Sequence, residues 1–423
     1  YKVLTFVDSV QDAAHRAGFV GARTWKFTLR TLLASTLARA GGSMRLDQLG
    51  ERALDEVTRR FDAEAVALAQ VTPQDLKESD AYRAMVEQSN RRSIAHLRTL
   101  LKERLRLEAW LEFGLGARSG QTLEVTGAAC AYFDPERLDA AVDHLHRWWS
   151  EELPFGRRVP ERTDLWRFVN GVLHRTRLRG GILDPRLEPY IEAGGNPYLL
   201  TRRRAPNLPS WPYKRRPPRM LIDKPRSDAF DEVPGKTDAR TWHRDWFERC
   251  LSVAASEPNV GTTLLRILHT LTEAGILSEA RDTRNSRVFG IRPDAIVVTM
   301  AVSRLRDEDG SSTLHLATRE AERWAGARRW AYRSDERWEA TPHEVAPSYY
   351  LHLYRQGRIR RLFTATHTGL LEKAEREQLE TAFKAPNPPF GPNAVVATPT
   401  LEMGIDIGDL NTTFLDAVPP TTA

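Results

Sequence analysis

Two stretches of this 423-residue chain carry residue types whose spacing could do chemistry. In Val395 to Leu410, VVATPTLEMGIDIGDL, an apolar run ends in Ala397-Thr398 and a turn or short helix leads to Gly404-Ile405-Asp406. A hydroxyl and a backbone N–H at the carboxyl end of a parallel strand sit where an α/β sheet binds its ligands. Gly404 lets a backbone approach closely, and Asp406 offers a carboxylate to ribose hydroxyls. The second stretch, residues 201–219 (TRRRAPNLPSWPYKRRPPR), holds seven basic residues, five prolines, Trp211 and Tyr213 without one acid. Arg202, Arg203, Arg204, Lys214, Arg215 and Arg216 suit a nucleic-acid backbone, where cations displace counterions and nearby rings stack on bases. A solvated, Pro-rich linker fits the same composition equally well. The histidines offer less. His144 and His146 could share one face of a strand, but Trp148 and Trp149 beside them favour a packing helix. His15, His352 and His367 have no nucleophile partner in view, so Ser/His or Cys/His catalysis is not supported.

Composition narrows the classes. The formal charge is +6, from 62 basic and 56 acidic residues. Without residues 201–219 the balance is 55 basic against 56 acidic, so the excess belongs to that stretch. Arginine accounts for 53 of the basic residues, which reflects codon usage as readily as phosphate recognition and carries no weight. With 41% hydrophobic and 28% charged residues the chain is of globular type. No run of eighteen apolar residues exists, which excludes a membrane-spanning helix. Cys130 and Cys250 are too far apart in sequence for a CxxC pair, so neither a disulfide framework nor a cysteine-based zinc site is expected. A reducing, cytoplasmic setting follows. The opening Tyr1-Lys2-Val3-Leu4 lies already within an apolar β run, and we expect the chain to be cut from something longer.

The elements that must position these residues are legible in outline. Val3 to Val7 reads as a strand, and Asp8-Ser9 offers an N-cap for a helix through Ala14, Ala17 and Gly18. A second helix is predicted near Thr24 to Leu37. From Met44 to Leu111 the pattern is amphipathic helix, with Ile94, Leu97, Leu101 and Leu105 on one face. Thr262 to Leu277 is a helix stopped by Gly275. A turn around Asp282 to Ser286 and the strand Val288 to Ile291 follow, an order that resembles a winged helix, a module that enters DNA grooves or packs against protein. The aromatics Trp324, Trp330, Tyr332 and Trp338 read as a small core satellite. Arg361 to Thr366, Ala394 to Thr398 and Thr413 to Val418 are strands around a helix at Leu371 to Phe383, the alternation of a parallel sheet.

The segment ending in Ala397-Thr398 and Gly404-Ile405-Asp406 resembles motif V in the second RecA-like domain of superfamily 2 helicases. His367-Thr368-Gly369-Leu370-Leu371, with Glu375-Arg376-Glu377 after it, looks like the strand-end turn and helix that precede that motif. Val3 to Ala13 is similar to motif IV in the YprA/MrfA-like branch, related to the Druantia and DISARM defence helicases. Val418 to Ala423 resembles the run-up to motif VI. The resemblance covers about residues 1–40 and 350–423. It implies that Thr368, Gly369 and Thr398 hold phosphates of a tracking strand and that Gly404 and Asp406 face ATP. It also implies Mg2+, an absent N-terminal RecA-like domain, a C-terminal continuation of the same chain, and DNA rather than RNA as partner.

Parts of that machinery are missing. Gly235-Lys236-Thr237 imitates the end of a Walker A loop, yet Phe230 stands where its first glycine belongs and Asp231 and Glu232 would oppose phosphate. Asp335-Glu336 opens like a DExx box, but Arg333-Ser334 precede it where a buried strand should end. No zinc is expected, and the chain by itself is expected not to hydrolyse ATP. The expected architecture is thus α/β: a RecA-like parallel sheet (1–40 and 350–423) split by a long, mainly helical insertion. The insertion divides into helical (41–200), basic Pro-rich linker (201–235), winged-helix-like (236–300) and aromatic-rich (301–349) parts. The expected function is the second motor domain of an ATP-dependent helicase or translocase. The alternative is a non-catalytic nucleic-acid-binding module in which a degenerate RecA-like scaffold carries the winged helix.

Overall fold

In the computed structural model, which describes residues 2–201, 217–224, 229–235, 241–359, 361–385, 390–398 and 410–415, four short strands form one parallel sheet. Their order is Thr364–His367, Ala394–Ala397, Val3–Phe6, Thr412–Leu415, so the first strand of the chain lies between two strands from its last part. Side chains alternate across a strand. Leu4, Val395 and Ala397 therefore meet Phe383 of the helix Lys373–Lys384 on one face. Val7 and Val396 meet Ala13 and Ala17 of the helix Val10–Arg39 on the other. Each face thus carries a buried apolar cluster, as parallel sheets covered on both sides do. The protein is a mixed α/β chain, half of it helical.

The two helices read between Val10 and Leu37 are one helix, Val10–Arg39, whose N-terminus Ser9 caps by accepting from Asp12 N–H at 3.1 Å. Its glycines do not end it. A Cβ on Gly21 would stand 2.6 Å from Thr364 Oγ1, so this glycine marks where the helix lies close against a strand.

The chain falls into two compact units. The first joins Tyr1–Leu32 and Arg358–Ala423 to Leu54–Leu101, a stretch from within the expected helical insertion. The helix Glu64–Val71 is anchored there by its last carbonyls, orphans at any helix end. Trp25 Nε1 donates to Val71 O at 2.9 Å, and Arg361 donates to Ala69 O at 3.0 Å and Gln70 O at 2.7 Å. Of the face the spacing predicted on the helix Arg91–Phe113, Leu97 and Leu101 here and Leu105 in the second unit are fully buried, and Ile94 is half-buried.

The second unit, Leu33–Ala53 with Lys102–Gly357, holds three further sheets. Ile296–Thr299 pairs antiparallel with Ser43–Arg45 and Cys130–Phe133, both inside the segment read as helical. Val302–Arg306 pairs antiparallel with Thr313–Ala317 and His343–Glu344. The third sheet runs Asp231–Glu232, Leu221–Ile222, Arg287–Ile291, Leu277–Arg281. Its first two strands come from the segment read as a Pro-rich linker: the apolar triplet Met220-Leu221-Ile222 is buried, and its flanking prolines hid it in the sequence. Around them pack the helices Arg162–Leu178 and Trp242–Leu251. Trp324 lies 6.1 Å from Trp166 and stacks on Trp246 at 6.2 Å, so it belongs to this main aromatic core and forms no satellite. No helix among the described residues is long and apolar enough to cross a membrane.

Candidate strand-binding edge of the parallel sheet

Register decides what lies at the carboxyl edge of the parallel sheet. His367 pairs with Ala397 and Ala397 with Phe6. One residue further along, Thr368, Thr398 and Val7 stand level on three adjacent strands. The level is fixed by hydrogen bonds from Thr398 N–H to His367 O at 3.1 Å and from Val7 N–H to Ala397 O at 3.0 Å. Thr368 and Thr398 are each 5% exposed, at the point where the buried sheet gives way to solvent.

Beyond Thr368 the chain turns through Gly369 and Leu370, both exposed, and Leu371 N–H closes the turn on Thr368 O at 3.2 Å. The Gly369 and Leu370 N–H groups and the Thr368 hydroxyl have no hydrogen-bond partner within the protein. Two backbone donors beside a hydroxyl make a cradle for an oxyanion, since successive N–H groups in a turn sum their partial charges. The neighbouring helix ends offer no such place. At Lys373–Lys384 the side chains of Glu372 and Glu375 form a capping box that takes up the terminal donors. At Val10–Arg39, Ser9 and Asp12 bond each other. Open donors of this kind are therefore found at the turn.

Two residues that the sequence reading quoted without a role of their own lie behind the turn. His367, 2% exposed, places Nε2 2.9 Å from Glu380 Oε1 and so ties the strand end to the helix behind it, while its Nδ1 is buried without a partner. Arg376, in the first turns of that helix, has a buried Nε with no acceptor. No local pattern announces either, because both depend on how the helix packs on the sheet.

The other expected site residues divide. Gly404 and Asp406, and the basic cluster Arg202, Arg203, Arg204, Lys214, Arg215 and Arg216, lie outside the described residues. Arg219, the last basic residue of the stretch, is structural: it donates to Asp231 at 2.7 Å and to Phe230 O. His144 and His146 lie on the helix Pro135–Glu152, where residues two apart do not share a face. In the segment read as a winged helix, the helix Val260–Glu273 precedes a hairpin of Leu277–Arg281 and Arg287–Ile291. Gly275 at φ +69° closes the helix.

Among the described residues no group of three His, Cys, Asp or Glu side chains is placed to hold a metal ion. Searches of protein-family models, of curated proteins and of solved structures returned no match to this chain.

Proposed function

We propose that the first unit is the second, RecA-like motor domain of an ATP-dependent helicase or translocase that grips one strand of nucleic acid, DNA in preference to RNA, by its phosphates. The observation that carries the reading is the level placement of Thr368 and Thr398 on adjacent strand ends, with the bare Gly369 and Leu370 N–H groups beside them. Thr368 and the turn hold one phosphate and Thr398 stands beside it toward the next. His367 and Glu380 keep the turn in place from behind. Opening and closing against a first motor domain would let this grip advance, because contacts on each side are made and released in turn.

The described residues include no phosphate loop and no carboxylate trio for Mg2+, so they do not by themselves fit an ATP·Mg2+ site. No hydrolytic step is assigned to them. On this proposal Gly404 and Asp406 contribute to ATP only alongside the first motor domain.

The alternative module needs a helix with an open polar face. Val260–Glu273 buries Val260, Thr263, Leu264, Ile267, Leu268, Thr270 and Leu271, and only Thr262 and Glu273 are fully exposed. That helix is a packing element, and no observation favours the second reading.

The test is binding of a fluorescein-labelled oligothymidylate, followed by anisotropy. Thr398→Val keeps the shape and removes the hydroxyl, and should weaken binding about tenfold, the worth of a hydrogen bond to a charged group. Thr398→Ser restores the hydroxyl and should bind within about twofold of wild type. Equal affinity for the valine and serine variants would remove Thr398 from the grip.

A further inference from the structure

In the second unit a cleft of about 290 Å3 opens beside Arg118, Arg329, Trp330 and Trp338, with Ser312 on its wall. That is close to the lower end of small-ligand sites, roughly 300–1,000 Å3. Three features of its wall bear on what could fill it.

The first is a cation in search of a counter-ion. Arg329 is already answered by Asp307 at 2.7 Å, by Glu336, and by the Ser312 hydroxyl at 3.0 Å. Arg118 is not. It makes no hydrogen bond within the protein, and its ion contact is a single 3.5 Å approach to Glu124. Arg177 already holds that carboxylate through bonds of 2.8 and 3.1 Å. Its side chain is 39% exposed, so its guanidinium donors are open to an anion in the cleft.

The second is a rigid aromatic wall. Trp330 stacks on His174 with ring centroids 5.3 Å apart and planes 7° from parallel, and meets Trp338 at 6.3 Å and 63°. His174 cannot turn: its Nε2 lies 2.9 Å from Glu320 and its Nδ1 3.2 Å from Arg177, and the ring is fully buried. An indole held in plane is a ready surface for a planar base. The third is the second indole: Trp338 lines the cleft beside Trp330 and is itself only 5% exposed, so its ring is fixed by its surroundings.

We propose that this cleft binds an unpaired nucleotide, with the base against the Trp330 and Trp338 indoles and the phosphate on Arg118. An apolar ring would leave Arg118 idle and inorganic phosphate would leave the indoles idle; a nucleotide engages both. The inference does not rest on the strand grip, which lies in the other unit. Its chemistry is shared by a free mononucleotide and by a nucleotide at the phosphorylated end of a strand.

The experiment is calorimetric titration of the full chain with thymidine 5′-phosphate, thymidine, inorganic phosphate and 5′-phosphorylated tetrathymidylate. The nucleotide should bind at one site, with thymidine and inorganic phosphate each at least about tenfold weaker. Arg118→Gln should lose about tenfold for the nucleotide and nothing for thymidine, and Arg118→Lys should fall between, because an ammonium lacks the planar fork. Tetrathymidylate tighter than the mononucleotide identifies the strand as the source; equal affinities identify the free nucleotide. Trp338→Phe shrinks the aromatic wall and should cost a fewfold in affinity, a second readout should Arg118→Gln not fold. Absence of heat with both the nucleotide and tetrathymidylate overturns the proposal. So does unchanged nucleotide affinity in Arg118→Gln, or in Trp338→Phe, or inorganic phosphate binding as tightly as the nucleotide.

Discussion

Glu124, in the second unit, is 1% exposed and accepts two bonds from Arg177, which is equally buried. The chain of contacts continues from Arg177 to His174, from His174 to Glu320, from Glu320 to Asn170 at 2.7 Å, and from Asn170 to Trp324 Nε1 at 2.9 Å. Burial pushes the Glu124 carboxyl up, but Arg177 and Arg118 more than offset this and hold it below the ordinary range. At the edge of the parallel sheet in the first unit the polar groups are left open instead: a hydroxyl and two N–H groups at Thr368 to Leu370 have no hydrogen-bond partner among the described residues. In the one region polar groups answer each other and specify packing. In the other they lack internal partners, which is the condition for binding something else.

Three measurements would break or sharpen this contrast. The largest effect belongs to Arg177→Met, which leaves the buried Glu124 carboxylate without its hydrogen-bonded partner and with only the 3.5 Å approach of Arg118. Chemical unfolding should show a loss of about 3–5 kcal/mol, and a loss under about 1 kcal/mol would mean that the network is not what holds the second unit together.

The next concerns His243, 3% exposed in the same unit, whose Nε2 has no partner. Burial lowers its pKa to about 4, with Asp231 acting the other way. The unfolded imidazole binds a proton near its ordinary value of about 6.5, so the stabilising effect is complete above that pH and is lost as pH falls toward about 4. The span is worth roughly 3 kcal/mol. Between pH 7 and 4.5 wild type should therefore lose about 2 kcal/mol more than His243→Phe. Parallel losses would place a proton on the folded imidazole.

The smallest lies in the first unit, behind the open edge. Gly21→Ala should cost about 1 kcal/mol through overpacking against Thr364. In a Thr364→Ala background the sign should reverse, because helix propensity then favours alanine by a similar amount. A penalty that persisted would show that Thr364 is not what the glycine makes room for.

Legibility in the sequence followed the range of the interactions. The strands at Val3, Thr364 and Ala394 and the helix ending at Lys384 were readable because hydrophobic period and turn residues are local. The break read between Gly18 and Thr24 was not there, and the reason for Gly21 within it, the approach of Thr364, lies far along the chain. Met220 to Ile222 was missed because prolines flank a run too short to register as a strand. The site was half visible. Thr398 could be named from its position after a strand and Thr368 only from a motif resemblance, but His367 with Glu380, and Arg118 with Trp330 and Trp338, have no spacing that marks them.

The sequence by itself determined the α/β alternation at both ends of the chain, the lack of a membrane-spanning helix, and the residue types that could meet a phosphate. Only the tertiary structure decided that Thr368 and Thr398 stand level, because parallel register is set by pairing between distant strands. It alone also decided which arginines are spent, Arg219 and Arg329 on buried carboxylates, and which, like Arg118, still lack a full partner. Charge is written in the sequence; whether a charge is answered depends on what folding brings within about 3 Å of it.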